Sequence, residues 1–181
     1  SLDAIITIGK RSVRDSLLFT HFGIGGPAAY RASLYDLSDG ISVNLVPDID
    51  VYNELRNAKK AQGRKTVAGV LGQWGPGRIA KWIVGADVRN IADVRDAELE
   101  IIARRITCMQ VAGNQIKYHG MASAEVVRGG VDTKHVSSKT MESKLCPGLY
   151  FAGEVLDVAG DLGGFNLHWA WASGRVAGEN A

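Results

Sequence analysis

Residues 153–167 gather the side chains and glycines most able to do chemistry: Gly153, Glu154, Asp157, Asp161, then Gly163, Gly164, Phe165, Asn166 and Leu167. Two glycines directly before a helix let another molecule approach its first turn. There the free N–H groups and the positive end of the helix dipole point outward. Such a place suits an anion or an electron-rich polar ring. A second glycine pair, Gly129 and Gly130, follows an apolar run and marks either a bulge or a point where another molecule passes the backbone. The four histidines offer acid–base chemistry, but His21 sits in a glycine-rich turn and His168 just inside the helix, where structural or surface roles are expected of both. His119 and His135 have no recognisable context.

The elements that must position these groups can be read from apolar periodicity. Leu149 to Ala152 is a short apolar run between a proline–glycine pair and Gly153, which reads as a buried strand of an α/β sheet. Asn166 is a good N-cap for the helix that follows, whose expected packing stripe is Leu167, Ala170, Trp171, Gly174, Ala177 and Gly178. At the other end, residues 1–9 and Leu17 to Phe22 read as a hairpin or sheet-edge pair. Gly23 to Ala29 then has the spacing of a strand–glycine–helix nucleotide turn. No acidic residue closes the next strand candidate, Ile41 to Val46, so a tight turn with a capped helix stands beside that reading.

From Asp48 to Ile106 the texture is helical. Asp50 can cap Val51 to Gln62, and short helices are expected at Thr66 to Trp74 and Gly77 to Val84. Asp96 can cap Ala97 to Ile106. Trp74, Trp82, Ile79, Ile83, Leu99, Ile102 and Ile106 are expected to form the core of this helical subdomain rather than a ligand pocket. Strands are expected again at Ile116 to Tyr118 and Ala124 to Val127, with Thr140 to Lys144 a polar loop.

The 181 residues suffice for one medium domain or two small ones, and 21 basic against 19 acidic residues leave a net charge of +2. No basic run is interleaved with aromatics, so no nucleic-acid partner is expected. Cys108 and Cys146 have no metal-type spacing, no apolar run reaches membrane length, and no charged-then-apolar leader opens the chain. A cytoplasmic protein with free thiols, no metal and no membrane span is the expectation.

Three pieces in fixed order carry a family resemblance: Phe19 to Pro27, then Arg128 to Val131 with Thr140 to Lys144, then Gly148 to Asp157 with Gly163 to Leu167. Together they resemble a family of bacterial FAD-dependent flavoproteins that includes aminoacetone oxidase and a proposed dehydro-bile-acid reductase. The resemblance implies a mixed α/β fold in three parts. Residues 1–47 are the end of an inserted β-barrel region, 48–110 a helical subdomain, and 111–181 the C-terminal strand–helix segment of an FAD-binding Rossmann-like domain. It implies that the half holding the FAD pyrophosphate lies outside this chain.

The same resemblance implies roles for individual residues. Glu154, after Gly153 at the end of the closing strand, accepts a hydrogen bond from a ribityl hydroxyl. Gly163, Gly164, Phe165, Asn166 and Leu167 present backbone N–H groups to the pyrimidine edge of the flavin, and Gly129 and Gly130 let the chain pass the ring. Asp157 bonds the cofactor or shapes the loop. The implied activity of the intact protein is hydride transfer between flavin and a small organic substrate, with FAD weakly bound or unbound by this portion alone. A non-catalytic binding or assembly module that keeps the flavoprotein architecture is the alternative.

Overall fold

A computed structural model describes every residue except Glu125, and of Ser123 the backbone alone. The expected strand Ala124 to Val127 includes Glu125 and so lies outside the described residues. Two compact units emerge, Ser1–Lys117 and Tyr118–Ala181.

The first unit begins with a hairpin. Strands β1 (Leu2–Ile8) and β2 (Arg11–Phe19) pair antiparallel around a two-residue turn at Gly9 and Lys10, where Gly9 takes φ +55. Strict alternation buries Ala4, Ile6, Ile8, Val13 and Leu17 on one face. The charged residues between the two apolar runs are therefore part of β2 rather than a linker. Arg14 points outward and pairs with Asp3 at 2.7 Å and with Asp48.

Strand β3 (Ile24–Gly25), helix α1 (Gly26–Ser33), strand β4 (Ile41–Asn44) and a late strand β5 (Met109–Val111) complete a five-stranded sheet of order β3-β2-β1-β4-β5. Every pairing in it is antiparallel. A nucleotide-binding turn needs a parallel strand–helix–strand unit, so Gly23 to Ala28 is a turn into α1 and the nucleotide reading falls. Gly26, at φ +81, is required there because a Cβ would lie 3.0 Å from the Ser16 carbonyl oxygen.

Four more helices follow, α2 (Val51–Ala61), α3 (Val67–Leu71), α4 (Gly77–Val84) and α5 (Asp96–Thr107); α5 packs on β4 and β5, α2 and α4 pack on α5, and α3 packs on α4 and α2. Asp50 caps α2 by accepting from the Asn53 amide at 3.2 Å, and Thr66 caps α3 by accepting from the Gly69 amide at 3.1 Å. The cap of α5 is not Asp96. That helix starts one residue earlier, with Glu98 folding back to accept from the Arg95 amide at 3.0 Å. Leu55, Val70, Leu71, Ile83, Leu99, Ile102 and Ile106 join Ile6, Leu17, Val43 and Leu45 in one continuous core. Trp74 packs against this core from its edge, but Trp82 does not: its residue is 63% exposed, because α4 turns Ala80, Ile83 and Val84 inward and leaves Trp82 on the outer side.

One ionic cluster ties the loop before α5 to that helix. Arg89 pairs with Asp87 at 2.6 Å and Glu98 at 2.9 Å. The guanidinium hydrogen bonds, aided by the Arg89 amide on Asp87 and the Arg95 amide on Glu98, hold both carboxyl groups down at about 2. Because these values lie below those of the unfolded chain, the stabilisation is present above about pH 4 and is lost as pH falls toward 2. Melting temperature should therefore drop steeply across that acid window in the wild-type chain and less steeply in Arg89→Leu. Parallel pH slopes for the two proteins, followed by circular dichroism, would remove the cluster from this role.

The expected strands Ile116 to Tyr118, where the first unit ends, and Leu149 to Ala152, in the second unit, are absent. Residues 113–115 form a single 3-10 turn, and Tyr150 makes one isolated bridge with Glu142. An apolar run becomes a buried strand only where a continuous ladder takes up its backbone bonds, and among the described residues this one meets only the 141–143 segment, with the Ser143 amide donating to the Leu149 carbonyl at 2.7 Å and the Phe151 amide to the Met141 carbonyl at 3.0 Å. A small cluster of Val136, Met141 and Leu156, with Phe151, Val158 and Trp169 against it, holds the unit together under helix α6 (Phe165–Asn180). Among the described residues no helix is long and apolar enough to cross a membrane, and no group of side chains could hold a metal ion.

Candidate functional site

Two glycine-rich segments of the second unit run side by side, and a third leads into α6. Arg128 to Val131 runs parallel to Val155 to Asp157: the Val131 amide donates to the Val155 carbonyl at 2.8 Å, and the Asp157 amide donates to the Val131 carbonyl at 2.9 Å. Gly130 makes this approach possible. At φ +128, a Cβ there would sit 2.4 Å from the Val155 oxygen. Gly129, at φ +96, has open space where its Cβ would be.

Two carboxylates fasten the same junction. Glu154 Oε1 accepts from the Val127 amide at 3.1 Å, and Asp157 Oδ1 accepts from the Gly129 amide at 3.0 Å. Glu154, expected to meet a ribityl hydroxyl, and Asp157, expected to bond the cofactor or shape the loop, thus also hold the incoming backbone. Spacing alone could not reveal this, because the donors are 27 and 28 residues away in the chain.

Gly153, at φ +72, ends the Leu149 to Ala152 run and meets α6. Its amide donates to Ser173 Oγ at 2.9 Å, its carbonyl accepts from Trp169 Nε1 at 3.2 Å, and the Ser173 hydroxyl donates onward to the Trp169 carbonyl at 2.6 Å. Ser173, only 2% exposed, was missed in the sequence. Its place four residues after Trp169 and three before Val176, on one helical stripe, is the signal that could have found it. That stripe, with Ala170 and Ala177, is the packing face of α6. Leu167 and Trp171, expected to pack, are 68% and 80% exposed, and a Cβ at Gly174 or Gly178 would meet nothing.

The loop from Asp157 to Gly164 closes on the start of α6. Asn166 is not the N-cap. Gly164, left-handed at φ +83, occupies that position without a side-chain bond, and Asn166 Oδ1 instead accepts from the Gly160 amide at 2.8 Å. Helical bonding begins with the His168 amide donating to the Gly164 carbonyl at 3.0 Å. The amides of Phe165, Asn166 and Leu167 therefore face outward from the helix start, as helix geometry requires. Gly163 and Gly164 leave the approach open: a Cβ at Gly164 would touch nothing, and one at Gly163 would touch only the Phe165 ring, at 3.4 Å. No carboxylate lies in the first helical turn. His168, just past this turn, is exposed, and His21 belongs to the first unit, where its ring lies tilted against Phe22 with centroids 3.7 Å apart.

These features define the class: a mixed α/β chain whose second unit is a loop-and-helix piece with a glycine-opened helix start, the kind of terminus that doubly wound domains turn toward an anionic or polar ligand. The chain belongs to the family described as the HI0933-like protein Rossmann domain, which it matches over residues 28–180. The resemblance carried by the three motifs is borne out. The chain is 37% identical over 187 aligned residues to the "Ribosomal RNA dihydrouridine synthase" of Escherichia coli, covering 99% of this chain and 46% of that relative. It is 38% identical to the Haemophilus influenzae protein of the same name, covering 96% of this chain and 44% of the relative. A "3-dehydro-bile acid delta(4,6)-reductase" of Clostridium scindens is 41% identical over 90 residues, half of this chain and 22% of the relative. The chain thus spans less than half the length of these relatives.

Proposed function

We propose that this chain is the C-terminal portion of an FAD-dependent reductase. Bound FAD supplies two-electron chemistry by giving or taking a hydride. The chain's contribution is the glycine-opened start of α6, and this observation carries the reading. The outward amides of Phe165, Asn166 and Leu167, with the dipole behind them, suit the pyrimidine edge of a flavin and stabilise negative charge there by about 0.3–2 kcal/mol. Gly163 and Gly164 keep side chains from its path. Glu154 and Asp157 act one step back, by fixing the Val127–Gly130 backbone, so any bond from Glu154 to a ribityl hydroxyl must share that carboxylate with the Val127 amide.

The relatives' names share a chemistry. Dihydrouridine and a reduced bile-acid dienone both result from adding hydrogen across a carbon–carbon double bond conjugated to a carbonyl. The relatives aligned along nearly the whole chain are named for ribosomal RNA. A uracil ring in RNA is therefore the proposed substrate of the intact protein, in place of the small organic substrate that the resemblance implied and of the absence of a nucleic-acid partner expected from the charge pattern.

Two measurements test this reading. The purified 181-residue chain, titrated with FAD and followed by flavin fluorescence, should show no saturable binding at micromolar concentrations; a chain that purifies yellow would defeat the two-part cofactor site. The intact protein, with flavin reduced by dithionite and given ribosomal RNA lacking the modification, should add the mass of two hydrogen atoms to a uridine. Gly164→Val in that protein, placing a branched side chain on a left-handed residue at the helix start, should lower flavin occupancy at least tenfold. Full occupancy in that variant would move the flavin away from α6.

A further inference from the structure

We propose that the groove between the C-terminal ends of α4 and α5 binds single-stranded RNA, an inference that rests on the reading of an RNA substrate but concerns a different surface. The groove is open, about 530 Å³ in volume, and its lining includes Trp82, Ile101, Arg104, Arg105, Cys108 and Gln110. Two of these are large apolar residues in water: Trp82 is 63% and Ile101 54% exposed. A helix that buries Ala80, Ile83 and Val84 gains nothing in its own packing from an indole on the opposite side.

The surrounding charge selects the occupant. Arg105 donates to the Ile83 carbonyl at 3.4 Å and has no carboxylate within ion-pair distance among the described residues. Among the described residues Arg104 pairs only with Glu100, at 3.1 Å, with side chains 77% and 50% exposed; such a surface pair is weak and exchanges readily for a phosphate. Arg78 and Lys81, four residues and one residue before Trp82 on α4, are exposed as well. The whole first unit carries 16 basic against 12 acidic residues, whereas the second carries 5 against 7. An exposed indole flanked by guanidinium groups is the combination that stacks an unpaired base and neutralises its phosphates. Trp82 and Arg104 lie on different helices, so no basic–aromatic run marks the groove in the sequence.

The test is fluorescence anisotropy of a labelled oligouridine titrated with the 181-residue chain, repeated over a series of salt concentrations. Trp82→Ala is expected to weaken binding by about tenfold and Trp82→Phe to retain most of it, since stacking is shared by aromatic rings. The double variant Arg104→Gln with Arg105→Gln is expected to lower the slope of log affinity against log salt by about 1–2. Lys139→Gln, a cation of the second unit, should bind like wild type. All substituted side chains are exposed, and circular dichroism melts check that each variant is folded.

Equal binding by all variants overturns the groove while leaving an RNA substrate standing. Absence of saturable binding to the folded chain also overturns it, and dihydrouridine formation by the intact protein then decides separately whether RNA is the substrate. Equal weakening by Lys139→Gln reduces the effect to general charge and overturns the groove too.

Discussion

Gly130→Ala is expected to destabilise the second unit by about 2–4 kcal/mol, the combined cost of backbone strain and lost hydrogen bonds. The added methyl would lie 2.4 Å from the Val155 oxygen, a backbone atom that cannot swing aside as a flexible side chain can. Relieving that contact pulls apart the Val131–Val155 and Asp157–Val131 bonds of 2.8 and 2.9 Å. The φ of +128 adds strain of its own. Gly129→Ala separates the two causes, because Gly129 also has positive φ but open space for a methyl. Its cost should stay near the strain alone, about 1–2 kcal/mol. Urea unfolding read by tryptophan fluorescence compares the two variants. If Gly129→Ala proves as harmful as Gly130→Ala, the close approach of the two segments is not what the glycine provides.

The second large effect is expected at Ser173. Its hydroxyl accepts from the Gly153 amide and donates to the Trp169 carbonyl, so Ser173→Ala strands a buried N–H with no acceptor, at about 1–3 kcal/mol. The carbonyl of Trp169 is less affected, since the helix supplies it with a backbone donor. Hydrogen exchange at the Gly153 amide reads the loss directly and should speed up by roughly 10- to 100-fold, each tenfold corresponding to about 1.4 kcal/mol. Ser173→Thr keeps the hydroxyl and should exchange more slowly than the alanine variant. Arg175→Ala, on the exposed side of the same helix, removes only a surface pair with Glu179 and should change stability by no more than about 0.5 kcal/mol. Unchanged exchange in Ser173→Ala would mean that the Gly153 amide already finds water.

Local chemistry was the legible part of this fold. The hairpin, the cap at Asp50 and the glycine turn before α6 all depend on residues within a few positions of one another, and each was readable. What escaped depended on partners. The run from Leu149 to Ala152 has the composition of a buried strand, but composition cannot supply the neighbouring strands that would make it one. Helix α6 has two apolar stripes, and nothing local says that Trp169, Ser173 and Val176 pack while Leu167 and Trp171 stay in water. Trp82 was misplaced for the same reason, since α4 is apolar on more than one side. At the candidate site the identities of Glu154 and Asp157 were legible, but their bonds to Val127 and Gly129 were not. A carboxylate suited to a ribityl hydroxyl is equally suited to an amide that folding brings to it.

The sheet of the first unit ends on one side in the two-residue strand β3 and on the other in the three-residue strand β5. Because β3 covers only Leu18 and Phe19 of β2, the rest of that edge is guarded by the charged side chains of Arg11, Arg14 and Asp15, a feature that blunts edge-to-edge aggregation. What protects that edge is thus side-chain charge rather than strand length. A surface guarded by side chains can be retuned by single substitutions without disturbing the sheet beneath it.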